Sequence, residues 1–230
     1  MSNNHYHWSA QAYIDEVENG SDQGLQEYQA REAKFLKDSI DNSKEKTFID
    51  VGAGYGRAIP YIAPIADKVI AIEVDDDLVS TLRSVAGRHS NVEVVVESGD
   101  NLASIVDGSV SRPVILSLQN TLGPWDGVRD KAIDAMRQVA EPRHGEIIIS
   151  LFCRESLLDW GIPMYATVST LLGNYDSERS DIDNGLFATD TGYTSHWFSK
   201  SEREAIKKKL GGKLVNEIKD HKFHIFHIAY

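Results

Sequence analysis

The chain holds one cysteine, Cys153, in 230 residues. That excludes an intramolecular disulfide, and no zinc cluster is suggested. Positive charge is scarce as well: 24 Lys and Arg stand against 35 Asp and Glu, a formal net charge of −11. Enzymes of nucleic acids usually carry a basic stripe that releases counterions from phosphate. The basic cluster Lys207-Lys208-Lys209 reads first as a solvated helix end complementing the helix dipole. Nucleic acid is thus not the expected partner. No run approaches the ~20 apolar residues of a membrane span, and the first residues lack the apolar core of a secretory leader. The expectation is a reducing, cytoplasmic compartment and no membrane partner. Internal repeats and low-complexity tracts are missing. So is a Ser/His/Asp or Cys/His constellation at a recognisable spacing, which leaves hydrolase chemistry without support. His5 and His7 form an i, i+2 pair near the chain end; it reads as incidental, and no metal is expected.

What the chain has is alternation. Apolar runs at Thr47–Val51, Lys68–Glu73, Val92–Val96, Val114–Leu118 and Glu146–Phe152 are separated by helical patterns at Gly56–Ile65, Asp77–Arg88 and Asp126–Ala140. Strands that alternate with helices predict an α/β, three-layer αβα sandwich around a parallel sheet. Almost wholly apolar runs such as Ile147-Ile148-Ile149 suit strands buried on both faces. The end differs: Lys213–Ile218 and Lys222–Ala229 are strands too close together for a crossover, so they predict an antiparallel pair. The result is a mostly parallel seven-stranded sheet with an antiparallel last strand. With 41% apolar and 26% charged residues, the composition is that of an ordinary globular domain.

The first strand breaks into Asp50-Val51-Gly52-Ala53-Gly54-Tyr55-Gly56-Arg57. Glycines at alternate positions let a ligand lie against bare backbone, and the following helix offers free N–H groups. A dinucleotide fingerprint reads G-x-G-x-x-G; here the spacing is G-x-G-x-G, and Arg57 replaces the third glycine. Asp50 would repel a pyrophosphate and attract an ammonium. The second strand ends in Glu73, placed to accept both hydroxyls of a ribose, and Val74 follows it. Asp75, Asp76 and Asp77 read as N-cap and first-turn acids of the next helix. After the third strand comes Gly99-Asp100-Asn101-Leu102.

These segments, in this order, resemble motif I and its successors in the class I S-adenosylmethionine-dependent methyltransferases. The resemblance covers roughly residues 46–152, and the antiparallel strand at the end fits it. It implies S-adenosyl-L-methionine as cofactor and S-adenosyl-L-homocysteine as product. The implied contacts are Asp50, Gly52, Ala53, Gly54 and Gly56 at the first turn, Glu73 and Val74 at the ribose, Asp100, Asn101 and Leu102 at the adenine, and Gln119. The fourth strand exits through Leu118-Gln119-Asn120-Thr121-Leu122-Gly123-Pro124. The tandem-proline exit of enzymes that methylate exocyclic amines of nucleobases is missing, so the exit looks more like that of enzymes acting on small amines and amino acids.

Two segments outside this frame are expected to choose the substrate. Residues 1–45 form an N-terminal arm with a helix around Asp22–Ile40, whose Leu25, Leu36 and Ile40 fall on one apolar stripe. Tyr13, Tyr28 and Arg31 are the candidates for a lid. Residues 153–198 make an insertion far longer than an ordinary connection and rich in aromatics, read as a substrate cover or a homodimer contact. Within it, Tyr193, His196 and Trp197 precede a capping box at Ser199 and Glu202. His196 is the candidate base; Asn120, Tyr13, Tyr28, Tyr193 and Trp197 are the candidate acceptor contacts. The expected activity is methyl transfer to a small molecule, with an amine nitrogen first. A protein or RNA methyltransferase, and a binding protein without transfer activity, are the alternatives.

Overall fold

The computed structural model describes residues 10–40 and 46–230. The histidine pair His5/His7 lies outside them. Among the described residues, nine strands form two sheets: β1 (Thr47–Val51), β2 (Lys68–Glu73), β3 (Val92–Val96), β4 (Val114–Ser117), β5 (Glu146–Phe152), β6 (Leu186–Ala188), β7 (Thr194–His196), β8 (Lys213–Lys219) and β9 (Phe223–Ala229). The main sheet runs β3-β2-β1-β4-β5-β9-β8. Its first five strands pair in parallel. The antiparallel β9 lies between β5 and β8, joined to β8 by a short turn that has no room for a crossover.

Side chains alternate between the sheet's faces with period two. Phe48, Leu116 and Ile148 pack on one face with Tyr28, Phe35, Ile59 and Leu82. Ile49, Ile115 and Ile147 pack on the other with Met136, Val139 and Ile206. The helices Gln23–Ser39 and Asp76–Ala86 therefore cover the first face, and Arg129–Ala140 and Lys200–Leu210 the second. Each full strand of the centre is buried on both sides, whereas the edge strand β8 is largely exposed.

Local chemistry sets the helix starts. Asp22 and Asp75 accept from backbone N–H groups of the helices that follow them, and Ser199 and Glu202 form a reciprocal capping box. One boundary differs from the sequence expectation. Gly56 has φ +97°, outside helical space, so no helix starts there. The α-helix spans only Ile59–Ile62 and continues as a 3-10 turn at Ala63–Ile65. The loop's amides are largely used within the protein: Gly52 N and Ala53 N donate to Ile72 O, and Gly54 N donates to Glu73.

The insertion is more structured than expected. A helical stretch through Leu157–Gly161, Ile162–Thr167 and Ser169–Leu172 leads to the β6–β7 hairpin. Tyr165 stacks on Phe187 at 4.0 Å between ring centres. Trp197 packs on Phe152 at 4.9 Å and Trp160 at 5.4 Å, which ties the insertion to the end of β5. None of the described helices is long and apolar enough to cross a membrane.

Candidate active site

The carboxyl ends of β1 to β5 open into one cavity of about 660 Å³, in the range of small-molecule sites. A smaller chamber of about 70 Å³ adjoins it, and Tyr13, Gly52, Gly54, Gln119 and Thr121 line both. Asp50, Ala53 and Arg57 line only the small one.

Asp50 is 3% exposed. Burial pushes its carboxyl up to about 7; Arg57 opposes the shift, and the neighbouring carboxylates of Glu32 and Glu73 add to it. No protein donor hydrogen-bonds it among the described residues, so the chamber presents a carboxyl matched to an incoming cation. At Gly54 (φ +57°) a Cβ would meet no protein atom within 4 Å: bare backbone faces open cavity. Gly56 lies elsewhere, against Ile59 and Leu82, and lines neither space.

Glu73 reaches the main cavity. Its carboxylate accepts from the backbone N–H groups of Val74 (2.8 Å), Asp75 (3.0 Å) and Gly54 (2.8 Å). Burial raises its pKa, and these donors pull against the rise. One acid thus fixes the second strand's end to the glycine turn while facing the ligand space. Val74, about half exposed, lies on the same wall.

Beyond β3 the wall is formed by Glu97, Ser98 and Gly99. Asp100, Asn101 and Leu102 are not on it: Asp100 accepts from Ser98 Oγ, Asn101 donates to Glu97, and Leu102 is in the core. The cavity wall here thus lies one to three residues before the expected contacts, because Gly99–Asn101 turn away as a 3-10 segment. Trp125 faces this edge, its Cη2 2.5 Å from where a Gly99 Cβ would stand. The sequence reading did not single it out.

Gln119 and Asn120 have left-handed backbones, φ +50° and +56°, uncommon for residues with a Cβ. A buried network holds them there. Gln119 N donates to Glu32 Oε1 (2.9 Å) and to Ser150 Oγ (2.8 Å). Asn120 Oδ1 accepts from Phe152 N, and Asn120 Nδ2 donates to Ser195 Oγ and His196 O. Asn120 lines the cavity, yet its amide is committed to the scaffold. Gln119 Nε2 donates to Tyr13 Oη (3.1 Å), joining the arm to the junction of the two chambers.

Glu32 is the residue that sequence reasoning missed. It is fully buried, paired with Arg57, and it accepts from Tyr28 and Ser150. Burial acts to raise its pKa, but Arg57 and the two hydroxyls outweigh that and hold the carboxyl below its usual range. The signal was present: a glutamate on the apolar stripe between Tyr28 and Phe35.

Four expected contacts move. Tyr28 is fully buried in the Glu32 network and touches neither chamber. Arg31 turns outward to Asp220, across Phe223, and is no lid. Trp197 is fully buried among Phe152, Trp160 and Tyr165. His196 is off the cavity wall: its ring bonds Glu202 (2.8 Å) at the start of the last helix and packs on Phe198. Adjacent strand residues point oppositely, so Ser195 faces in and His196 does not. Tyr13 and Tyr193 do line the cavity.

No family model matches the chain. The ribosomal RNA small subunit methyltransferase A of Alkaliphilus oremlandii is 38% identical over 62 residues, 27% of this chain and 22% of that protein. The chain spans about a quarter or less of the curated relatives it matches. Two solved structures align over nearly all of it. The CcbJ methyltransferase of Streptomyces caelestis gives a TM-score of 0.64 at 17% identity, covering 99% of this chain and 98% of that one. The 1,6-didemethyltoxoflavin-N1-methyltransferase of Burkholderia thailandensis, solved with its ligand and S-adenosylhomocysteine, gives 0.60 at 14%, covering 96% and 86%. The chain has the class I S-adenosylmethionine-dependent methyltransferase fold. In this fold the carboxyl edge of the sheet is where the two chambers open.

Proposed function

We propose that this protein is an S-adenosylmethionine-dependent methyltransferase acting on a nitrogen of a small molecule. The observation that carries the reading is the order of groups along one cleft. A buried carboxyl, Asp50, faces the small chamber. The bare backbone of Gly54 and the carboxylate of Glu73 come next, then the Glu97–Gly99 edge with Trp125. An amino-acid ammonium, a ribose and an adenine fit that sequence of partners.

When bound, the cofactor would supply an electrophilic methyl group on a sulfonium, with a neutral thioether as its leaving group. The chain's own part is to hold, orient and exclude water. Gln119 and Tyr13 stand where the two chambers meet. The amide Oε1 of Gln119 has no partner among the described residues and is placed to accept an acceptor N–H. Tyr165 and Tyr193 share hydrogen bonds with each other and with Ser195, and burial raises both phenol pKa values. They act as neutral donors. No imidazole of the described residues lines the cavity; in this reading the acceptor nitrogen arrives neutral, and the proton it sheds after transfer leaves to water.

A second reading, RNA methylation, is favoured by the matched segment of ribosomal RNA methyltransferase A. Against it stand the net charge of −11 and a fourth-strand exit without tandem proline. The test of the first reading is calorimetry with S-adenosylhomocysteine and with NADH, followed by methyl transfer to a panel of amino acids, amines and phenols beside an RNA oligonucleotide. Binding of NADH alone rejects the cofactor assignment; methylation of the RNA alone rejects the small-molecule assignment.

A further inference from the structure

The cavity is charged at one end and apolar at the other. Crossing the sheet from β3 to β1, its walls carry the carboxylates of Glu97, Asp75 and Glu73, and Asp126 follows Trp125 over the same edge. Past β4 the character changes. The wall over β4 and β5, closed by the arm and the insertion, is built from apolar and aromatic side chains and hydroxyls such as Phe152, Met164, Tyr165 and Ser195. Among the described residues it contains no carboxylate and no imidazole, and its one charged side chain is Arg179.

Arg179 is a built position rather than a loose surface cation. Its backbone N–H donates to Asp176 Oδ1 (3.1 Å), which fixes the turn. Its Nη1 donates to Thr189 O (3.0 Å) beside β6, which fixes the guanidinium. No carboxylate lies within ion-pairing distance of it among the described residues. Arg31, Arg57, Arg137 and Arg203 each have an acidic partner; Arg129, Arg143 and Arg154 are held by backbone carbonyls as Arg179 is, but they are not on the cavity wall. In a chain with 11 more acids than bases, Arg179 thus brings an anchored guanidinium without an acid partner to the cavity rim. A guanidinium fork suits a planar anion.

We infer that the methyl acceptor is a largely apolar molecule carrying a carboxylate-type anion, and that Arg179 selects it by pairing with that anion. A cationic amine finds no counter-charge in this half of the cavity, and Arg179 repels it. The inference rests on the methyl-transfer reading and narrows its substrate class.

The experiment uses the full chain saturated with S-adenosylhomocysteine and three matched probes: 2-aminobenzoate, 2-aminobenzamide and aniline. Ligand-observed NMR titration reads their affinities in the wild type, Arg179→Met and Arg179→Lys. The acid is expected to bind at least tenfold tighter than the amide or aniline in the wild type. That preference disappears in Arg179→Met and partly returns in Arg179→Lys. Equal binding of acid and amide, no binding of any probe, or a preference that survives in Arg179→Met overturns the inference. If S-adenosylhomocysteine itself does not bind, the methyl-transfer reading fails first, and calorimetry of that step tells the two failures apart.

Discussion

Asp50 gives a quantitative test of the cofactor site. Its carboxyl sits at about 7 in the free protein because it is buried without a hydrogen-bond donor, near Glu32 and Glu73. An ammonium bound against it stabilises the ionised form, so binding draws Asp50 toward ionisation and releases a proton when the pH is below 7. Only the ionised fraction binds well. That fraction is about one in eleven at pH 6 and nine in ten at pH 8, so affinity for S-adenosylhomocysteine rises about tenfold over this interval, roughly 1.4 kcal/mol. Calorimetry at pH 6 in buffers of different ionisation heat should count nearly one proton released per ligand bound, falling toward zero at pH 8. Asp50→Asn should weaken binding at pH 8 and flatten the profile. A wild-type affinity that does not change between pH 6 and pH 8, or that falls as pH rises, refutes the ammonium role of Asp50.

Other outcomes follow from named contacts. Glu73→Ala removes charged hydrogen bonds and should weaken S-adenosylhomocysteine by about 1.5–3 kcal/mol; unchanged affinity by calorimetry removes Glu73 from the site. Glu32→Ala removes the close carboxylate of buried Arg57, leaving it only Glu18 at 3.8 Å, and should cost about 3 kcal/mol of folding stability; a loss under ~1 kcal/mol by urea denaturation contradicts the network. Glu146 is held at about 2 by His227 and Lys46, against the effect of its burial. A depressed carboxylate contributes stability above its unfolded pKa, so about 3 kcal/mol should be present above pH ~4.5 and lost as pH falls toward 2. Glu146→Gln should remove most of that acid sensitivity in denaturation series. His196→Ala should leave cofactor affinity unchanged, since the ring bonds Glu202 away from the cavity; a tenfold loss would return it to the site.

The central strands were legible because burial on both faces forces long apolar runs, and no helix pattern competes with them. β1, β2, β3 and β5 end where their runs end. The glycine turn and Glu73 were legible for a similar reason: a backbone that must bare itself, and an acid that must close a strand, leave few residue choices. The wall beyond β3 differs from the expected Asp100–Leu102 because spacing fixes a loop only to within a residue or two. Gly99 starts a 3-10 turn, and that shift puts Asp100 off the wall. The insertion was hardest to read. β6 and β7 are three residues each, too short for alternation to show which side chains face inward, so His196 and Trp197 were picked for their chemistry and not their direction.

Glu32 shows what a helical pattern conceals and what it offers. A glutamate is ordinarily assigned to the solvent face, yet Glu32 falls in register with Leu25, Tyr28, Phe35 and Leu36, all buried. A carboxylate on that stripe must be paired, since an unpaired buried charge is costly. Its partners are the glycine-loop arginine, Arg57, and the amide of Gln119 at the fourth strand's exit. A single side chain of the arm therefore fixes both loops at which the two chambers meet. The arm belongs to the site's construction as well as to its cover, and the same mutation should loosen the glycine loop and the strained Gln119–Asn120 turn together.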